Sequence, residues 1–204
     1  PDLPSDKQFA AVLEQIDYFQ KDILGKNPEM KQLKKWDDIH ELKEEEIGSF
    51  LTLEGVSSIG NELSKLDYLL DAGVLSLGLT WNPANLAADG VEEPRGGGLT
   101  TFGFEIVKRL NERKVFTDVS HLSVQGFWDV MKCASYPIAT HSNVLSLCSH
   151  VRNLNDEQIK AMIERDAMIH VIFNPTFTVE EGKYKKVTIA DLIPHVERLV
   201  ELGA

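Results

Sequence analysis

Three side chains able to bind a metal ion, Glu54, His121 and His141, each close a short apolar run: Phe50 to Glu54, Val115 to His121 and Pro137 to His141. A carboxylate with two imidazoles is a donor set suited to zinc and other first-row divalent ions. Each residue also has a plainer reading. A single strand histidine is more often structural than a ligand, and a single strand-end glutamate is no better. Their coincidence at equivalent positions brings the metal reading level with the structural one. Trp81 and Asn174 end two further runs, Val74 to Trp81 and Met168 to Asn174, and belong to the same rim.

Other arrangements fail on inspection. His40-Glu41 lacks the second histidine of a His-Glu-x-x-His metalloprotease helix. Gly96-Gly97-Gly98 has no following Lys-Ser/Thr, so a mobile active-site loop is expected there rather than a phosphate cradle. Ser120 sits in no nucleophile elbow, and Asp118, Ser120 and His121 are too close in sequence to be assumed a triad. His150 and His195 fall on loop or helical stretches and read as surface residues. His170 points inward by alternation but lies deep in its strand.

The elements that must position these residues alternate in type. Ser5 and Gln8 read as a capping box, followed by a helix whose stripe is Phe9, Val12, Leu13, Ile16, Phe19 and Ile23. Gly25, Asn27 and Pro28 stop it, and Asp38 is expected to cap a short helix. From residue 50 the five apolar runs are separated by helical patterns over Asn61 to Asp71, Thr100 to Arg113, Ser123 to Lys132 and Asn155 to Arg165. A last helix covers Ile189 to Leu202. Strands alternating with helices mean a parallel sheet with right-handed crossovers. An open doubly wound sheet usually carries a Gly-rich turn after its first strand, whereas this one ends Leu53-Glu54-Gly55-Val56. In a (β/α)8 barrel, alternation would put Thr52 and Glu54; Leu75, Leu77, Leu79 and Trp81; Val115, Thr117, Val119 and His121; Ala139 and His141; and His170, Ile172 and Asn174 on the inward face. The strand-end residues would then meet at the C-terminal mouth, where barrel enzymes keep their active sites. No repeat, linker or low-complexity tract divides the chain, so residues 1–204 are one domain.

Composition narrows the partners. The net charge of −11, from 32 acidic and 21 basic residues, is unsuited to holding a polyphosphate backbone, so nucleic acid is excluded as an expected partner. Most of the excess carboxylates, Glu44 to Glu46 among them, read as solvated surface. Cys133 and Cys148 have no Cys-x-x-Cys spacing, which argues against a thiolate zinc site and for a reducing, cytoplasmic setting. No apolar run approaches the roughly 20 residues needed to cross a bilayer.

A family resemblance rests on successive motifs. They are Leu51-Thr52-Leu53-Glu54-Gly55; Leu79-Thr80-Trp81-Asn82 with Asn85 and Ala88-Asp89-Gly90; Gly98-Leu99-Thr100-Thr101-Phe102-Gly103; Asp118-Val119-Ser120-His121-Leu122-Ser123; Thr140-His141-Ser142-Asn143; and Arg152-Asn153-Leu154-Asn155-Asp156. In this order and spacing the chain resembles the zinc-dependent membrane (renal) dipeptidases, in a bacterial-type form, over essentially its whole length. The resemblance implies a TIM-type (β/α)8 barrel metal-dependent hydrolase that cleaves dipeptides with a hydroxide bridging two zinc ions. It makes Glu54 the bridging and catalytic carboxylate, and His121 and His141 ligands of one ion. Arg152 becomes the grip on the substrate carboxylate, a task suited to a planar fork of donors. Asp118 is a supporting or structural carboxylate behind the ligands, and Trp81 and Asn174 line the substrate. Family relatives are often dimers, so a homodimer is an assembly the resemblance admits.

Two departures stand out. Trp81 replaces a histidine found in the animal enzymes, and cannot donate a proton in the same way, so it becomes pocket wall. The family's first-strand His-x-Asp pair and last-strand Ser-Asp-Phe-Asp-Gly motif do not occur. The chain is therefore expected to cover about strands 3 to 7, as a fragment of a protein about half as long again, inactive if its end motifs are missing. Two rival functions share these residues: another barrel amidohydrolase acting on a lactone, an N-acyl amino acid or a β-lactam, and a non-catalytic peptide-binding barrel.

Overall fold

A computed structural model describes residues 3–180 and 186–204. Helix α1 (Ser5–Tyr18) carries Phe9, Val12 and Ile16 on its packed side, as the spacing predicts. It begins at Ser5 itself, with Pro4 rather than Ser5 as the N-cap, and Gln8 donates to the carbonyl of Leu3 at 3.0 Å. The stripe's last part, Phe19–Ile23, continues as a π turn, followed by a 3-10 turn at Leu24–Lys26. Two short strands then pair in parallel, β1 (Met30–Gln32) and β2 (Ile47–Ser49). Neither shows alternation or an apolar run, and the sequence gives no signal for them. Between them, the Asp38 carboxylate accepts the N–H groups of Lys34 and Lys35 at the head of a 3-10 helix over Trp36–Glu41.

The main sheet is parallel, in the order β3 (Leu51–Glu54), β4 (Val74–Gly78), β5 (Phe116–Asp118), β6 (Pro137–Ile138). Its crossovers are α2 (Leu63–Asp71), α3 (Thr101–Glu112) and α4 (Val124–Cys133), with α5 (Asp156–Glu164) after β6. Thr100 and Ser123, expected as first residues of their helices, stand one position outside as caps: Thr100 accepts from Gly103 N–H and Ser123 from Gly126 N–H, while Asn155 and Gln158 cap each other. Leu66, Leu69, Leu77, Leu79, Ile106 and Leu110 are fully buried between helices and sheet. Each contributes about 1.5–3 kcal/mol by leaving water.

Alternation counted back from the strand ends gives the inward face correctly for β3 and wrongly for the next three strands. The open cavity inside the sheet, about 310 Å³, is lined by Thr52, Glu54, Ser76, Gly78, Asp118 and Thr140 among others. Leu77, Leu79, Val119 and Ala139, expected inside, instead pack in the helix-side core. The cause is where pairing stops. β5 ends at Asp118 and β6 at Ile138, and His121 lies beyond its strand in a turn with φ +70°. A side chain past the last ladder bond no longer obeys the strand's alternation.

The fifth expected strand, Met168 to Asn174, joins the sheet through a single bridge, Ala139 to Ile169. Farther along, Asn143 does what a neighbouring strand would do: its side chain accepts from Ile172 N–H at 2.9 Å and donates to Ile172 C=O at 3.1 Å. Asn174 then caps α6 (Pro175–Thr178), and a 3-10 turn leads into α7 (Ile193–Glu201). His195, expected at the surface, is fully buried on α7. Its Nδ1 accepts from Val144 N–H and its Nε2–H donates to Thr178 C=O, both at 3.0 Å, tying the helix to the loop after β6 and to the end of α6. His150 is half-buried, its ring 4.4 Å from that of Phe177. Among the described residues no helix is long and apolar enough to cross a membrane.

Candidate metal centre

Glu54 ends β3 beside Gly55, whose φ of +84° turns the chain under the backbone of Trp81. Its half-exposed carboxylate places Oε1 2.8 Å from His121 Nε2 and 3.2 Å from His141 Nε2. The two rings lie 4.9 Å apart, and one ligand atom from each of the three residues lies within 4.8 Å of the others. Three residues separated by up to 87 positions thus meet at one rim, as the sequence expects.

Both rings are oriented from behind. Asp118 accepts from Thr140 Oγ1–H, so the Thr140 oxygen must itself accept from His141 Nδ1–H, at 2.7 Å. Asp118 also takes the N–H groups of Ser120 (2.9 Å) and Thr140 (3.0 Å). His121 Nδ1–H donates to Asn82 Oδ1 at 2.6 Å, and Asn82 Nδ2 donates to Glu92 at 2.9 Å. With each Nδ1 proton committed, both Nε2 atoms are turned toward Glu54.

The electrostatics ask for positive charge at the point where they meet. Hydrogen bonding to His121, and then to His141, holds the Glu54 carboxyl far below the usual carboxylate range. Burial pushes the His121 pKa down, against the pull of Glu54, and so disfavours an imidazolium. A divalent cation satisfies the carboxylate without charging the imidazole. The donor set and its orientation therefore fit a metal ion, held by Glu54, His121 and His141.

Arg152 is buried beside this cluster, with only 4% of its surface exposed. Its Nη2 donates to His141 C=O at 3.2 Å and its Cζ lies 5.6 Å from the Phe177 ring centre, while Nε has no acceptor. Burial pulls its pKa down to about 10, opposed by the charges of Asp118, Glu54 and Glu92. It remains a cation at neutral pH. Trp81 is half exposed, 6.2 Å from the His121 ring, and forms a wall beside Glu54 with Pro83 and Ala84. Asn174 stands apart from the cluster: its Oδ1 accepts from Thr176 N–H and Oγ1–H in the α6 cap.

Sequence reasoning left Asn82, Thr140 and Glu92 without roles. Two of them carried a readable signal. A ligating histidine needs an acceptor for its other ring nitrogen, and Thr140 adjoins His141 while Asn82 follows Trp81.

Comparison with known proteins places this geometry in a family. A family profile described as "Membrane dipeptidase (Peptidase family M19)" matches residues 1–203. An uncharacterised protein encoded in the pqqA 5′ region of Klebsiella pneumoniae is 32% identical over 174 residues, which are 81% of this chain and 64% of that protein. The dipeptidase aclJ of Aspergillus oryzae (strain ATCC 42149 / RIB 40) is 32% identical over 154 residues, 74% of this chain and 36% of the enzyme. A metallo peptidase from Rhodobacter sphaeroides, solved with a phosphinate mimic of the dipeptide L-Ala-D-Ala, superposes with a TM-score of 0.89 at 23% identity. That match covers 98% of this chain and 59% of the other. The likeness fixes the fold as that of a (β/α)8 barrel, with β3 to β6 an arc that does not close among the described residues. The chain spans less than two thirds of the length of each of these relatives.

Proposed function

This chain belongs to the membrane dipeptidase family, and from that premise we propose that the complete protein is a zinc-dependent dipeptidase with two zinc ions, which Glu54, His121 and His141 would help to hold. When bound, zinc supplies Lewis-acid polarisation of a carbonyl and a lowered pKa for water. The residues of this chain supply the geometry. Asp118, acting through Thr140, keeps the Nε2 atom of His141 aimed at the carboxylate.

The observation that carries the substrate assignment is Arg152. A buried guanidinium is costly unless paired, and among the described residues no carboxylate forms an ion pair with it. Its charge and free Nε–H await an anion beside the metal ligands, which is what the C-terminal carboxylate of a dipeptide provides. Trp81 walls the opening beside Glu54, whereas Asn174, spent on the α6 cap, takes no part in this reading. The short span between Arg152 and the ligands limits the substrate to two residues. Unpaired Cys133 and Cys148 support a reducing cytoplasmic location; a homodimer is part of the same proposal and is checked by sedimentation velocity.

The test compares dipeptides with their C-terminal amides in the complete protein, with zinc content measured alongside. Two zinc ions per chain are expected, with amides cleaved poorly. Arg152→Ala raises KM for free dipeptides about 100-fold and leaves the amides nearly unaffected. Equal turnover of both substrate types would favour another amidohydrolase activity.

A further inference from the structure

The loop after β4 returns to grip the site it leaves. Asn85 accepts from Ala87 and Ala88 N–H and donates to Leu79 C=O, closing the first turn. The buried Asp89 receives a fork from Arg95, at 2.6 Å to Nη2 and 2.8 Å to Nε, and the N–H of Gly97 at 2.7 Å. Between these anchors, residues 90–92 run between Asn82 and His121. Val91 N–H donates to His121 C=O at 2.8 Å and Glu92 N–H to Asn82 C=O at 3.0 Å. A side chain at Gly90 would strike the carbonyls of Trp81 and Asn82, so glycine is needed for this approach. The Glu92 side chain then takes Asn82 Nδ2–H, which leaves Asn82 Oδ1 facing His121 Nδ1.

We propose that Asn82 is a positioning residue for His121: held at both its backbone and its amide by the Gly90–Glu92 segment, it fixes the ring so that Nε2 faces the metal. The loop after β4 thereby tunes one histidine and leaves the other alone, because His141 is oriented from the sheet through Thr140 and Asp118. This inference rests on the metal reading above. Removing the acceptor frees the His121 ring to turn or to move its proton to Nε2, and either change weakens its ligation.

The test measures zinc affinity of the complete protein by competition with a chromophoric chelator, together with the Nδ1–H resonances of the zinc-loaded histidines in nitrogen-15 NMR. Asn82→Leu is expected to lower affinity 10- to 100-fold and to lose the His121 Nδ1–H signal through exchange, while the His141 signal persists. Asn82→Asp combined with Glu92→Gln keeps the acceptor for His121 and restores a donor–acceptor contact between positions 82 and 92, so it should retain both affinity and signal even if the leucine variant folds poorly. Wild-type affinity in Asn82→Leu, equal loss in the double variant, or simultaneous loss of both histidine signals would overturn the proposal. A wild-type protein that takes up no zinc would instead overturn the metal reading on which it stands.

Discussion

His141 and His121 present the same ring atom to Glu54, yet one is held from the sheet and the other from a loop. Behind His141 stands Asp118 on β5, buried, with all three of its donors supplied by residues 120 and 140. Behind His121 stands Asn82, whose own partner, Glu92, is exposed to solvent. His121 also occupies a left-handed backbone conformation, φ +70°, that most L-residues avoid. The first support is built from strand geometry and cannot move without breaking the core. The second depends on a loop whose residues must first fold against one another. The difference teaches that two chemically identical ligands in one centre can differ in what perturbs them.

Glu54→Gln erases the comparison and has the largest effect, because it removes the charge that both rings address. Bound zinc and dipeptide hydrolysis should fall to background together, as read by metal analysis and a turnover assay. A glutamine variant that retained zinc and full activity would show that the two rings meet around something else. Asp118→Ala comes next and strikes one side alone. It strands the N–H groups of Ser120 and Thr140 in a buried setting and costs on the order of 3 kcal/mol. It should also release His141 while leaving His121 ordered. Denaturant unfolding checks the first effect and the histidine Nδ1–H resonances check the second. Loss of the His121 signal in this variant would mean that the two supports are not separate.

The sheet-side half of this picture was legible in the sequence to the extent that local signals carry it. The helical patterns beginning at Thr100, Ser123 and Asn155 marked three helices to within a residue, and each of these side chains caps its helix. The apolar runs marked β3 to β6. What the runs could not mark was the residue at which pairing ends, and that decided the inward face: Asp118 and Thr140 face the cavity where Thr117 and Ala139 were expected. Glu54, His121 and His141 still meet, because the turns after β5 and β6 reverse the error. β1 and β2 gave no pattern because a three-residue pair depends on its tertiary surroundings, here Gln32 reaching Ala72 C=O at 2.7 Å. His195 was misread because an amphipathic stripe does not reveal that a backbone donor and acceptor wait at its buried edge. Asn82 escaped for the related reason that its value depends on a partner 39 residues away.

The smallest expected effect sharpens the loop side. Hydrogen bonding to Arg95 is the main cause that holds the Asp89 carboxyl below its ordinary 3.8. A depressed folded-state pKa means that the unfolded chain takes up the proton first. The stabilisation is therefore complete above the unfolded value near 4 and lost as pH falls through the lower folded one. Arg95 is mostly exposed, so screening keeps the contribution to about 1 kcal/mol or less. Melting curves of wild type and Asp89→Asn should differ by a constant amount from pH 8 to pH 5 and converge below pH 4. At neutral pH the same variant should broaden the His121 Nδ1–H signal more than that of His141, because Asp89 anchors the segment that carries Val91 and Glu92 to His121 and Asn82. Equal broadening of both signals would place the influence of Asp89 in the barrel as a whole rather than in the loop.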